Sequence, residues 1–253
     1  MRFKATKARL VCLSLLAALA LTAIAASAAQ AATAEGPFYK ITGTRLASGK
    51  SQEIKAKMYS GNPFSFEIPN SGVKVGCTSA KFASGAKLLG STGANAAGGE
   101  ATIELSGCNT GGSSCELTSS TIKTEPLTMK MAYLNEARTG GMLMTFEPPK
   151  GILGEVTFRE GDCDVPGEWA LGGHLVGKVE VASKLVEVGK EPAATKVLRI
   201  TFPGLTEINT AWFEKNGTLE KKKVELVVNG SAPPYNGALE LELSTGAEWG
   251  IFT

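Results

Sequence analysis

The side chains that could perform acid–base chemistry in this chain are one histidine and a large set of glutamates. A Ser-His-acid triad would have to use His174, but the sequence has no G-x-S-x-G turn to present the serine nucleophile. It also has no H-E-x-x-H, phosphate-loop or dinucleotide-binding motif. We therefore predict that His174 stands at the start of a strand. We predict no catalytic residue, no metal ligands and no cofactor.

Paired glutamates are the remaining enzymatic option, because a glycoside hydrolase can operate with two carboxyl groups about 5–9 Å apart. Glu240 and Glu242 alternate with leucines along one segment, and Glu225 is a candidate for a neighbouring strand. An ordinary solvated strand face gives the same pattern, and its charges oppose aggregation. We favour the solvated face, with a hydrolase that uses paired glutamates as the alternative.

The four cysteines that follow residue 31 are Cys77, Cys108, Cys115 and Cys163. In an exported chain an even number predicts two disulfides, and zinc is disfavoured because the spacing contains no C-x-x-C. We predict the pairs Cys108–Cys115 and Cys77–Cys163. In this arrangement residues 101–106 and 116–123 form a hairpin with the first pair at its base.

Exposed aromatic side chains would indicate a surface that binds a glycan or a protein. Trp169 and Tyr235 lie in turn-rich sequence and are the candidates for such a surface. Trp212 and Trp249 lie in apolar segments, so we expect them to pack in the core or at its edge.

Alternation at period two indicates the elements that must position these residues. Apolar and polar residues alternate in most of the chain after residue 31, most clearly in Leu239–Leu243, and no segment has a sustained helical period. Turns are predicted at Asn216-Gly217, Asn229-Gly230 and Asn236-Gly237. The pattern predicts an all-β fold, an antiparallel β-sandwich or barrel-like domain that follows an N-terminal signal helix. We assign residues 32–253 to a single domain, with a possible subdivision near residues 189–195.

The first 31 residues have the layout of a secretory signal peptide. Arg2, Lys4, Lys7 and Arg9 precede an apolar stretch from Leu10 to Ala26, and small residues allow cleavage after Ala28 or Ala31. Cleavage would remove this apolar segment, and no later segment is predicted to be integral to a membrane.

The chain has 26 basic and 24 acidic residues, and four of the basic ones belong to the signal segment. The mature domain is therefore slightly acidic, which gives no electrostatic case for nucleic acid as a partner. We interpret the run of lysines at residues 221–223 as a solvated turn rather than a phosphate-binding patch.

Short sequence features link the chain to other exported proteins. They are Val75-Gly-Cys77, Ser106-Gly-Cys108 followed by Cys115, Ile122-Lys-Thr124 before Pro126-Leu127, and Phe158 ahead of Cys163. With these features, roughly residues 70–180 resemble a group of uncharacterised secreted, disulfide-containing all-β proteins of soil actinobacteria. The resemblance implies secretion and a disulfide-linked β domain, and it implies no site residue.

Together these observations predict a secreted, non-enzymatic protein, extracellular or associated with the cell envelope. We expect it to be a binding or structural module, with a glycan or a protein at the cell envelope as its partner.

Overall fold

A computed structural model of the chain describes residues 36–91, 95–161, 163–190, 194–203 and 208–253. The predicted signal segment, residues 1–31, lies outside the described residues. Every regular element in the described part of the chain is a β-strand. The strands are β1 (Phe38–Ile41), β2 (Thr44–Arg45), β3 (Ser51–Met58), β4 (Ser65–Glu67), β5 (Lys74–Gly76), β6 (Ser79–Phe82), β7 (Lys87–Leu89), β8 (Gly98–Ala101), β9 (Ile103–Ser106), β10 (Thr121–Lys123), β11 (Leu127–Tyr133), β12 (Met142–Glu147), β13 (Ile152–Phe158), β14 (Gly167–Gly173), β15 (Leu175–Val181), β16 (Lys184–Leu185), β17 (Val197–Phe202), β18 (Thr210–Lys215), β19 (Thr218–Lys223), β20 (Leu226–Val228), β21 (Tyr235–Leu243) and β22 (Trp249–Phe252).

Eight antiparallel strands close into a barrel. Their order around the barrel is β3-β7-β8-β11-β12-β15-β17-β21, and β21 pairs back with β3. The prediction of an antiparallel all-β sandwich or barrel-like fold is therefore confirmed. Because the barrel is closed, each of these eight strands pairs with a neighbouring strand on both of its edges.

Side chains that alternate along the barrel strands fill its interior. Leu239, Leu241 and Leu243 of β21 are buried in the core, and the intervening glutamates lie on the outer face. Methionines and Phe146 from β11 and β12 pack in the same core. The interior is thus a packed apolar core, as expected for a small barrel.

A second apolar cluster lies on the outside of the barrel wall. Ala132, Leu143 and Val176 belong to β11, β12 and β15, and they pack with Ala211 and Phe213 of β18. Strands β18 and β19 form a hairpin, and Tyr133 of β11 pairs with Trp212 of β18. Because both faces of β12 are covered, every residue of the segment 142–146 is buried, and its one polar side chain, Thr145, donates a hydrogen bond to the carbonyl oxygen of Lys130 at 3.3 Å.

The remaining strands pack around the barrel in small sheets. Strands β2-β1-β22 form one three-stranded sheet, which packs Tyr39 and Trp249 against the core. A second sheet has the order β13-β14-β20, and β6-β9-β10 extend from β3. The four rings of Phe64, Phe82, Phe146 and Phe202 form an aromatic cluster with centroids 5.2–6.1 Å apart.

The turn predictions have mixed outcomes. Asn216-Gly217 and Asn229-Gly230 are two-residue turns in which both residues have positive φ, as a type I′ turn requires. Asn236-Gly237 lies inside β21, so that prediction is wrong. Gly237 is needed there for space, because the ring of Phe64 lies 2.7 Å from where a Cβ atom would be.

The segment 189–195 lies between β16 and β17. Both β15, which precedes it, and β17, which follows it, belong to the same barrel and pair with each other.

Candidate functional site

All four predicted cysteines form disulfides, but the predicted pairing is wrong. The bridges are Cys77–Cys108 and Cys115–Cys163, with Cα–Cα distances of 3.9 and 4.4 Å. Cys77 meets Cys108 because β6 pairs with β9 and backbone hydrogen bonds join Gly76 to Asn109 just beyond that pairing.

The predicted return strand begins later than expected. Strand β10 starts at Thr121, which pairs with Ser106, so the connection from β9 is long. Its residues 116–118 lie beside the end of β13, where Leu117 bridges to Phe158. This places Cys115 next to Cys163 instead of at the base of a short hairpin.

The predicted aromatic surface does not form at Tyr235. Tyr235 is buried, and its hydroxyl oxygen accepts a hydrogen bond from the backbone N–H of Val176 at 3.3 Å. Trp169 is half-buried, and its Nε1 donates to the carbonyl oxygen of Val165 at 3.2 Å. A binding role for Trp169 stays a prediction, whereas core packing of Trp249 is confirmed.

Tyr235 also borders a small apolar cavity of about 40 Å³. Leucine, isoleucine and phenylalanine side chains supply most of its lining, including Phe66, Leu105 and Leu153. Its volume is far below the 300–1,000 Å³ of ordinary ligand pockets, so we treat it as a packing defect between the outer sheets.

The three glutamates that could have formed a catalytic pair do not converge. Glu240 and Glu242 both face Lys57, at 3.7 and 3.0 Å. Glu225 lies between β19 and β20, neither of which pairs with β21, and its carboxylate contacts Lys223 at 2.7 Å. These carboxylates form ion pairs on the surface.

A different pair of carboxyl groups lies on β13 and β14. A hydrogen bond with Glu168 and its nearby charge raise the pKa of Glu155, with smaller contributions from burial and from Glu125. Both Glu155 and Glu168 are exposed on the face of the small sheet. Sequence alternation did not single out this pair.

A polar recess lies between the β18–β19 hairpin and the barrel wall. It has a volume of about 340 Å³, and its lining residues are Asn95, Ala96, Lys130, Met131, Phe213, Glu214, Lys215, Glu220 and Lys222. Its apolar lining comes from the barrel and from β18, and lysines from β11 and from the hairpin supply its positive charge. We call this recess the hairpin cleft.

The turn of the hairpin is attached to the opposite side of the cleft. The backbone N–H of Asn216 donates to Oδ1 of Asn95 at 3.2 Å. Asn95 precedes β8, so this bond joins the end of the hairpin to the barrel. The bond helps to fix the width of the cleft.

A buried ion pair supports the hairpin from behind. The carboxylate of Glu214 has no exposed surface, and Nη2 of Arg138 donates to both of its oxygens at 2.7 and 3.0 Å. Burial raises the pKa of Glu214, although Arg138 opposes the shift. Burial, with the Glu214 charge next in size, raises the pKa of Tyr133 to about 12. Glu214 is therefore held by neighbours and is not available to a ligand.

The only histidine lies beside the cleft. His174 immediately precedes β15, as predicted, and its Nε2 is 3.7 Å from Oε1 of Glu147. The carboxylate of Glu147 also forms an ion pair with the cleft residue Lys130. Burial lowers the pKa of His174; Lys130 and Lys222 lower it further, and Glu147 and Glu225 oppose them. The pKa of His174 therefore depends on the charges of the cleft residues Lys130 and Lys222.

Sequence reasoning missed the cleft although two signals for it were present. The lysine run at residues 221–223 is part of β19 and not a turn, and Lys221 lies over the ring of Trp212, 5.6 Å from its centroid. The Asn-Gly turn indicated the hairpin. Which surface the hairpin covers depends on tertiary packing, and local pattern does not encode it.

No protein-family model, curated protein or solved structure matches the chain. Within the described residues no helix has the length and hydropathy needed to cross a membrane. The two disulfides fit a protein that matures outside the cytoplasm.

Proposed function

We propose that this protein is a secreted, non-enzymatic binding module that holds its ligand in the hairpin cleft. The observation that carries the proposal is a recess of about 340 Å³ with an apolar floor and charged walls. Ligand sites commonly combine apolar lining with a few polar groups that fix orientation. The size suits one or two sugar rings or a short side chain of a partner, in line with a glycan or protein at the cell envelope.

The state of the nearby carboxyl groups favours binding over hydrolysis. A glycosidase needs one carboxyl group as an acid and another as a nucleophile or base, both facing the substrate. Two carboxylates line the cleft. Glu214 forms an ion pair with Arg138, and Oε2 of Glu220 lies 3.7 Å from Nζ of Lys222. Glu168, and Glu155, whose pKa the neighbouring Glu168 raises, lie outside the cleft lining, on an exposed sheet face.

Filling the cleft tests the proposal directly. Ala96 is half-buried in the cleft lining, so Ala96→Trp should block the site. Ala170 on β14 is also half-buried and is not part of the lining, which makes Ala170→Trp a matched control. We expect cell-envelope fractions of the producing organism to bind the wild type and the control, and binding to the cleft variant to fall at least tenfold.

Two outcomes would contradict the proposal. If both tryptophan variants are folded by circular dichroism and bind the envelope fraction equally well, the ligand binds outside the cleft. Release of reducing sugars from the envelope fraction by the wild type would favour the hydrolase instead.

A further inference from the structure

The charges around the hairpin cleft do not cancel. The lining contains the three lysines Lys130, Lys215 and Lys222 and the two glutamates Glu214 and Glu220. The charge of Glu214 is compensated by Arg138, which lies outside the lining. The charge of Lys130 is compensated by Glu147.

These pairings leave two lysines against one glutamate. Lys215 is exposed and forms no ion pair within the described part of the chain, and Lys222 contacts Glu220 at the long distance of 3.7 Å. The uncompensated charge of the cleft is therefore about one positive charge. A singly charged anion would balance it, whereas a doubly charged phosphate would leave a negative excess next to Glu220.

The floor of the cleft further restricts the ligand. Half-buried Ala96 borders it, and Phe213 leaves only 6% of its surface exposed, with Nζ of Lys222 5.5 Å from its ring centroid, while Met131 is fully buried behind them. An apolar floor suits the C–H face of a ring, and the lysines that border the cleft suit an anionic substituent on that ring. The proposed function assumes only that the cleft binds a ligand, and the following inference rests on it.

We infer that the hairpin cleft recognises a compact ring that carries one carboxylate, with Lys215 and Lys222 as the anion-binding residues. A sugar acid is the chemical class that fits. It could come as a free molecule or as a residue of an acidic glycan. The two sources share the same chemistry at this site.

The affinity test uses the full mature protein with disulfides intact. D-glucuronate, D-glucose and inorganic phosphate are titrated by calorimetry, and an oligomer of galacturonate represents an acidic glycan. We expect D-glucuronate to bind at least tenfold more tightly than D-glucose and phosphate. Tighter binding of the oligomer than of the free acid would identify a polymer as the source, and equal binding would identify the free acid.

Adjacent lysines of β19 provide a matched pair of variants. Lys222 lines the cleft, whereas Lys221 lies against Trp212 and is not part of the lining. Lys222→Gln and Lys215→Gln should each weaken D-glucuronate binding about three- to tenfold. Lys221→Gln removes the same charge from the same strand and should leave the affinity within twofold of the wild type.

The single histidine provides a second, independent readout. His174 is flanked by Glu147 of β12, Lys130 of β11, Lys222 of β19 and Glu225, which follows β19. A bound anion near these lysines stabilises the protonated imidazole, so D-glucuronate should raise the pKa of His174 by a few tenths of a unit. The imidazole C–H resonance of untagged protein follows this titration by NMR, and D-glucose should leave it unchanged.

The results separate this inference from the proposed function. If Ala96→Trp abolishes envelope binding but Lys215→Gln and Lys222→Gln do not weaken it, the cleft binds a neutral ligand and the inference is wrong. Loss of affinity in Lys221→Gln equal to that in Lys222→Gln would also overturn it, because general surface charge would then explain the binding. An unchanged His174 titration with saturating D-glucuronate would place the anion elsewhere.

Discussion

Glu214 has a carboxyl group without exposed surface, and within the part of the chain that the structure describes its only cationic partner is Arg138. Arg138 itself has a φ of 58°, in the left-handed region that side chains rarely adopt. A buried ion pair often contributes little net stability, because removing both charges from water costs about as much as their attraction returns. Breaking it from one side is different, because the remaining charge is buried alone.

Arg138→Ala should therefore lower the free energy of unfolding by about 3 kcal/mol at pH 7.5. Glu214→Gln should lower it much less or not at all, since burial already disfavours the charged form of Glu214. The folded pKa of Glu214 lies above its unfolded value. Its contribution to stability is therefore most favourable below the unfolded pKa and declines as the pH rises through the folded pKa.

Urea denaturation at pH 4 and pH 7.5 checks both statements. The loss caused by Arg138→Ala should shrink at pH 4, where Glu214 takes up a proton and no bare carboxylate remains. The double variant Arg138→Ala/Glu214→Gln should recover most of the free energy of unfolding that Arg138→Ala loses at pH 7.5. An equal loss at the two pH values would show that the arginine acts through packing alone.

At the scale of the element, the β18–β19 hairpin forms one wall of the cleft. The Asn216-Gly217 turn determines the shape of this hairpin. Asn216 and Gly217 have φ values of 52° and 79°, and nothing lies within 4 Å of a Cβ atom added at Gly217. The same turn occurs at Asn229-Gly230, again without neighbours around the glycine. The two turns therefore differ in their position relative to the cleft and not in local strain.

Gly217→Ala and Gly230→Ala should each destabilise the protein by about 1 kcal/mol, because alanine pays for a left-handed backbone. Only Gly217→Ala should also lower the affinity for the ligand, because it displaces the end of the hairpin that is hydrogen-bonded to Asn95. Thermal unfolding measures the first effect, and calorimetry with the bound ligand measures the second. Equal affinities for the two variants would mean that the turn does not position the cleft wall.

At the scale of the whole molecule, the sequence could predict faces but not neighbours. Period-two alternation correctly placed Leu239, Leu241 and Leu243 inside and their glutamates outside. The same pattern cannot tell which strands pair, so the closure of β21 on β3 was not predictable. The hairpin cleft depends on that missing information, because it forms where a local hairpin packs on a distant strand, β11.

The disulfide error has the same origin. A period-two pattern and a run of turn formers predicted a short hairpin after β9. The chain instead makes a long excursion past the end of β13 before it returns as β10. The observed bridges close separate loops of 31 and 48 residues, whereas the predicted ones would have been nested. Because the two loops do not overlap, either bridge can be removed without changing the loop that the other bridge closes.

Thiol counting distinguishes the two pairings without peptide mapping. The variant Cys115→Ser/Cys163→Ser should have no free thiol in urea, because Cys77 and Cys108 still bridge, whereas nested pairing would leave two. The control Cys77→Ser/Cys163→Ser breaks both observed bridges and should release two thiols. Each lost bridge should cost up to about 4 kcal/mol, since it constrains a loop of several tens of residues in the unfolded chain. None of the four cysteines lines the cleft, so the first variant should keep its ligand affinity while it remains folded. A loss of affinity in the folded variant would show that the outer layer transmits strain to the hairpin.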